Sequence, residues 1–313
     1  MTILETILPV FIVIALGKFL KSKNIISDSG IACIKTISTQ VFLPVMAFDT
    51  LIHGDFSTKS LFLIGIEIAM LFAGFGIGFL VKKFFPKDIN GYVPYSMTSY
   101  EGGLFGWALV AILVGQKNEV MFNIVSMDII NGVFSFTVMA TGLKFLAGQK
   151  MTRKEIAVSV CTSPLVIAVI LGFIGAGFHL GEIIDNSKIA GLYTKTVNMF
   201  IQPISPMILF SIGSGLVFDR EILSRGLKLA VIRYAVQIVL CITVLALISA
   251  TIGLSTTFKV ALLVYFFVPA SFLLSMYATE KKAIEFTSGF LSLQIIISLI
   301  IFSLVSVYAG KVL

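Results

Sequence analysis

From residue 3 to residue 308 the chain alternates between apolar runs and short charged or turn-forming stretches. A run of roughly 20 apolar residues, wound as an α-helix, crosses the hydrocarbon of a bilayer, where helices satisfy their own backbone polar groups. Repetition of such runs leaves little choice of fold. With 58% hydrophobic and 12% charged residues in 313, the chain is far more apolar than a soluble domain, whose apolar share is about 45–50%. The expected class is an all-α polytopic membrane protein.

Ten spans are expected at 3–20, 31–52, 61–81, 93–114, 120–146, 156–178, 189–217, 229–252, 258–279 and 284–308. The first lacks a basic leader, has Glu5 near its start and Lys18 near its end, and is read as helix 1. Cys33, Cys161 and Cys241 fall inside spans without paired spacing and read as packed free thiols. The net charge of +7 is dispersed through short loops. That pattern fits membrane topology and not a nucleic-acid partner.

Basic residues collect after the odd-numbered helices: Lys18, Lys21 and Lys23; Lys82, Lys83 and Lys87; Lys144, Lys150, Arg153 and Lys154; Arg220, Arg225, Lys228 and Arg233; Lys281 and Lys282. The other loops and the C-terminus hold only Lys59, Lys117, Lys188, Lys259 and Lys311. The positive-inside rule then puts the odd loops in the cytoplasm and both termini outside. A bacterial cytoplasmic membrane is the expected location.

Two motifs recur about half a chain apart. Pro9 and Gly17 of helix 1 are matched at the same spacing by Pro164 and Gly172 of helix 6, and Pro44 and Phe48 of helix 2 by Pro206 and Phe210 of helix 7. Five helices per half means that the second half enters from the opposite side, the inverted repeat of many secondary transporters. The expected organisation is a first repeat over 1–146, a cytoplasmic linker over 147–155 and a second repeat over 156–313.

Helix 4 is interrupted at Glu101 to Gly106, within the stretch Ser99-Tyr100-Glu101-Gly102-Gly103-Leu104-Phe105-Gly106-Trp107-Ala108, and its counterpart helix 9 carries Phe267-Val268-Pro269-Ala270-Ser271 near its centre. Pro269 removes an amide donor and clashes with the preceding turn. Each interruption is expected to leave a half-helix N-terminus, with its partial positive charge, near the midplane, where an anionic group is stabilised.

Gly103, Gly106, the following Leu109-Val110, the Pro44 helix, Gly213-Ser214-Gly215 and the Pro269 break together resemble the auxin efflux carrier family, relatives of plant PIN proteins and of bacterial malate and malonate permeases. The resemblance runs the whole length. It implies ten helices in two inverted five-helix repeats, with helices 4 and 9 crossing at a carboxylate site. It also implies a scaffold of helices 1, 2, 6 and 7 against which helices 3, 4, 5, 8, 9 and 10 move. Two positions depart from the family pattern: Glu101 stands where Asn is common, two before the first glycine, and Ala108 where Pro is common. The large cytosolic loop of long plant PIN proteins is missing.

Glu101 is the leading site candidate, because a carboxylate near the middle of a span costs roughly 2.5–3.5 kcal/mol and is a functional hypothesis by default. It is read as a proton or sodium coupling residue, against the alternative of a structural acid. Gly102 and Gly106 have the spacing of closely packed membrane helices. Asp128 and Asn131, on one face of helix 5, read either as part of an ion site or as an interhelical polar pair. Lys35 and Lys195 read as snorkelling cations or as countercharges to Glu101 or the substrate. Ser271, Ser275 and Tyr277 are candidate lining residues after the Pro269 break, and Trp107 is a candidate wall.

Enzyme signatures are lacking. His53 and His179 do not share a helical face, Gly213-Ser214-Gly215 lacks a strand-turn-helix setting, and no phosphate-binding Gly-Lys-Ser/Thr loop occurs. Neither a metal nor an organic cofactor is called for; a proton or sodium ion is the coupling partner the site admits. The reading is a secondary transporter of small organic anions, mono- or dicarboxylates, working by alternating access, with the lipid bilayer as its surroundings and a homodimer as an admissible assembly. A cation-proton exchanger without organic substrate and a non-transporting membrane receptor for a small acid stay open.

Overall fold

The computed structural model describes residues 3–54, 58–115, 119–148, 152, 154, 155, 158, 161–216 and 219–312. Among them all regular structure is helical. The helices are α1 (Ile3–Ser22), α2 (Asp28–Ile52), α3 (Thr58–Phe84), α4 (Val93–Thr98), α5 (Trp107–Val114), α6 (Glu119–Phe134), α7 (Ala140–Leu146), α8 (Pro164–Gly177), α9 (Leu180–Asp185), α10 (Ala190–Gly215), α11 (Arg220–Thr251), α12 (Thr256–Phe266), α13 (Leu273–Met276) and α14 (Lys281–Val312). Five of these, α2, α3, α10, α11 and α14, are long and apolar enough to cross a membrane. Large apolar side chains cover much of the outer surface: Phe72, Leu80, Phe178 and Met199 are each more than three-fifths exposed. An exterior of that kind suits hydrocarbon and not water.

Local chemistry explains several boundaries. Ser27 opens α2 by accepting the Gly30 N–H, and Asp219 opens α11 by accepting the N–H groups of Glu221 and Ile222. Pro164 occupies the first turn of α8, where its missing N–H costs nothing. Pro44 cannot donate to the carbonyl four residues back, and α2 takes up the mismatch with a π-helical turn at Ser38–Phe42.

Packing divides the helices into two groups. In one, α1 lies along the Ile204–Gly215 half of α10 and α8 along the Leu43–Ile52 half of α2. In the other, α3 packs on α4 and α6, α11 runs along α14, and α12 contacts α5, α6 and α14. The first pair of contacts is close enough to require glycine. A Cβ on Gly17 would sit 2.1 Å from the Phe210 carbonyl oxygen, and one on Gly172 would sit 2.8 Å from Leu51 Cβ.

The structure corrects several sequence expectations. α11 begins at Arg220, well before the expected start at 229, so the basic residues assigned to that loop are helical. Arg233 in particular is completely buried among helices; a loop cation it is not, because its guanidinium finds backbone acceptors inside. The stretch between the expected sixth and seventh spans contains the short helix α9. Cys33 and Cys161 are exposed, and only Cys241 is packed inside. Residues 149–151 and 153 of the expected 147–155 linker, which include Lys150 and Arg153, the start of the expected sixth span at 156 and 157, Lys117 and Val217 lie outside the described residues.

Candidate functional site

The interruption in the first half is three residues long. α4 ends at Thr98, Ser99 is extended, and Glu101 leads into a π-helical turn, Gly102–Gly106, that continues as α5. The glycines, which the sequence reading placed in the interruption, belong instead to the helical turn that follows it. Gly102 is dictated by packing: a Cβ there would lie 1.9 Å from Asp128 Oδ1.

Leaving a helix strands carbonyl and N–H groups, and buried ones must find partners. Here side chains from other helices supply them. Arg233 of α11 donates to the carbonyl of Ser96 and, at 2.8 Å, to that of Ser99, with its guanidinium 5.3 Å from the centroid of the Tyr100 ring. Asn131 of α6 holds both backbone groups of Tyr100, accepting its N–H at 3.1 Å and donating to its carbonyl at 2.7 Å.

The second interruption is treated the same way. α12 ends at Phe266 and only one helical turn, α13, follows before α14. Helix 9 is thus more thoroughly broken than its single proline implies. Gln237 donates to the Phe266 carbonyl at 3.0 Å, Ser298 to that of Phe267 at 2.5 Å, and Gln294 accepts the Ala270 N–H at 2.7 Å. Amide side chains thus serve both breaks, Asn131 on α6 at the first and Gln237 on α11 and Gln294 on α14 at the second.

The two breaks meet at Glu101. Its backbone N–H donates to the Pro269 carbonyl at 2.8 Å, and its Oε2 accepts the Phe272 N–H at 2.6 Å. The carboxylate thus occupies a free backbone donor at the second break, the place where the sequence suggested an anionic ligand. Ser271 and Phe272 lie beside it, and Lys35 Nζ approaches the Phe272 ring, 5.8 Å from its centroid.

Glu101 faces a cavity of about 200 Å³. Gln40 and Leu43 of α2 and Leu165 and Val169 of α8 form one wall; Tyr100 to Gly103, Asp128, Asn131 and Ser271 form the other. The cavity therefore lies where the two packing groups face each other. Asp128 is a junction within it: its Oδ1 accepts from Asn131 Nδ2 at 2.8 Å and from Tyr265 Oη at 2.9 Å. Tyr265 Oη also lies 3.5 Å from Oε1 of Glu67, a carboxyl wholly buried on α3.

Of the sequence candidates, Glu101, Gly102, Gly103, Asp128, Asn131, Ser271 and Trp107 line this cavity. Gly106 faces Val268 and Tyr265 instead, and Pro269 contributes its carbonyl to Glu101. Ser275 is exposed and bonded to the Phe272 carbonyl of its own turn. Tyr277 packs under Lys144, and Lys195 is exposed on α10. None of these three reaches the cavity wall: α13 is too short to carry Ser275 and Tyr277 inward, and Lys195 sits on the exposed side of α10.

Residues that sequence reasoning passed over are Glu67, Arg233, Gln237, Tyr265 and Gln294. Four of the five share one signal, a single polar or charged residue inside an apolar run, the same signal that singled out Glu101. Tyr265 had no such mark. No protein-family model matches the chain, and no curated protein matches it.

Proposed function

We propose that this protein is a proton-coupled secondary transporter of small organic acids that works by alternating access. The observation that carries the reading is the cavity between two separately packed helix groups, with Glu101 and Asp128 on its wall. At about 200 Å³ it is smaller than the roughly 300–1,000 Å³ of a drug-sized ligand site, so the substrate is small. An anion entering beside two carboxylates is repelled unless protons enter with it. A protonated Glu101 donates to the substrate carboxylate and returns the proton after release.

The architecture proposed is ten transmembrane segments in two inverted repeats: α1, α2, α3, α4 with α5, and α6 with α7; then α8, α10, α11, α12 with α13, and α14. Reciprocal packing supports it. α1 lies on α10 as α8 lies on α2, with the repeated glycines Gly17 and Gly172 at the contacts. Under this reading α1, α2, α8 and α10 are the scaffold and the other group carries Glu101 past it, in keeping with the sequence resemblance to auxin efflux carriers.

Proteoliposome uptake across a panel of mono- and dicarboxylates, with pH and sodium gradients imposed separately, tests the proposal. A second reading, cation-proton exchange, is favoured by one observation: among the described residues no lysine, arginine or histidine lines the cavity, while carboxylate, amide and hydroxyl oxygens do. Sodium flux without any organic acid would select it. Ligand binding without counterflow would instead select a receptor.

A further inference from the structure

We propose that Glu67 is a second proton-carrying site, buried behind the cavity and joined to it by a relay through Tyr265 to Asp128. Glu67 lies on α3 with no accessible surface, and its Oε2 has no hydrogen-bond partner among the described residues. Its Oε1 is 3.5 Å from Tyr265 Oη, which is itself 2.9 Å from Asp128 Oδ1. Two carboxyl groups thus share one phenol that owns a single hydrogen.

Among the described residues no cation pairs with Glu67. Asp128 on α6 is another acid, Tyr100 and Tyr265 are neutral rings stacked with centroids 5.8 Å apart, and Cys241 on α11 is buried nearby. Glu101 and Lys35 lie around Phe272 instead. The Arg233 guanidinium is engaged by the carbonyls of Ser96 and Ser99. An ionised Glu67 would be an unpaired buried charge beside another carboxylate, among the costliest arrangements a protein core can contain.

A neutral Glu67 resolves the hydrogen inventory. Its O–H donates to Tyr265 Oη, whose O–H donates to Asp128 Oδ1, so that each hydrogen has one acceptor. The same chain is a transfer route. Glu67 gives its proton to Tyr265 Oη as Tyr265 gives its own to Asp128; Glu67 ends as a carboxylate, Asp128 as an acid, and the phenol is unchanged. The second proton would be stored out of reach of the substrate.

Infrared spectroscopy of the purified protein in liposomes tests the protonation directly, without dependence on transport. A protonated-carboxyl C=O band is expected at neutral pH, lost in Glu67→Gln and shifted in Tyr265→Phe. If Glu67→Gln leaves every such band in place, the proposal is wrong. The relay role rests on the transport reading above, and Tyr265→Phe addresses it: uptake driven by a proton gradient should fall roughly tenfold or more, while substrate counterflow at equal pH, which moves no net proton, is retained. Retained proton-driven uptake in Tyr265→Phe would remove the relay. Absence of all flux in wild type would instead reject the transport reading and leave the infrared result standing.

Discussion

The backbone N–H of Glu101 donates to the carbonyl of Pro269 at 2.8 Å, joining two interrupted helical segments from opposite halves of the chain main chain to main chain. Neither gap is a solvated loop. Each is bridged by side chains from helices distant in sequence, which bond backbone groups that a continuous helix would have satisfied itself.

Arg233 is the most exacting of these closures. Arg233→Met would leave the carbonyls of Ser96 and Ser99 buried without donors, at a cost of about 1–3 kcal/mol each. Arg233→Lys should fail nearly as badly, because one ammonium cannot reproduce the planar fork that spans both acceptors. Thermal unfolding in detergent should show both variants several degrees below wild type, with Gln237→Met, which frees a single carbonyl, affected less.

Asn131 uses its amide as donor and acceptor at once. Asn131→Asp therefore retains the shape but cannot donate to the Tyr100 carbonyl, and it adds a third acid beside Asp128. It should destabilise at least as much as Asn131→Ala, by about 1–3 kcal/mol, and denaturant unfolding compared across the two variants checks the order.

Two adjacent glycines should respond oppositely. A methyl on Gly102 meets Asp128 Oδ1 at 1.9 Å, whereas on Gly103 its nearest neighbour is Leu43 at 3.6 Å. Gly102→Ala should cost about 1–3 kcal/mol and displace Asp128. Gly103→Ala should fold normally and only narrow the cavity. Melting temperatures of the pair measure the contrast.

How far the sequence could be read depended on the kind of signal. The apolar runs and the polar break at Glu101 were visible because hydrocarbon tolerates so few exceptions. Asp128 and Asn131 were visible as a pair because helical periodicity puts them on one face. Arg233 was misread because its position just after Arg220, Arg225 and Lys228 resembles that of a loop cation, and only the tertiary contact with Ser96 and Ser99 reveals its role. Tyr265 was invisible for a similar reason: a tyrosine in an apolar run is unremarkable until Asp128 and Glu67 are brought to its hydroxyl. Ser275 and Tyr277 were overestimated because the sequence does not show that α13 stops after one turn.

The central claim is that the Glu101 carboxyl couples proton movement to substrate movement at the junction of the two breaks. Glu101→Gln is the direct test, since the amide oxygen still accepts the Phe272 N–H while the titratable proton is lost. In proteoliposomes, wild type should accumulate a small carboxylate in response to an imposed pH gradient, and Glu101→Gln should fold, bind the same acid and show no response to that gradient. Uptake by Glu101→Gln with the pH dependence of wild type would contradict the account.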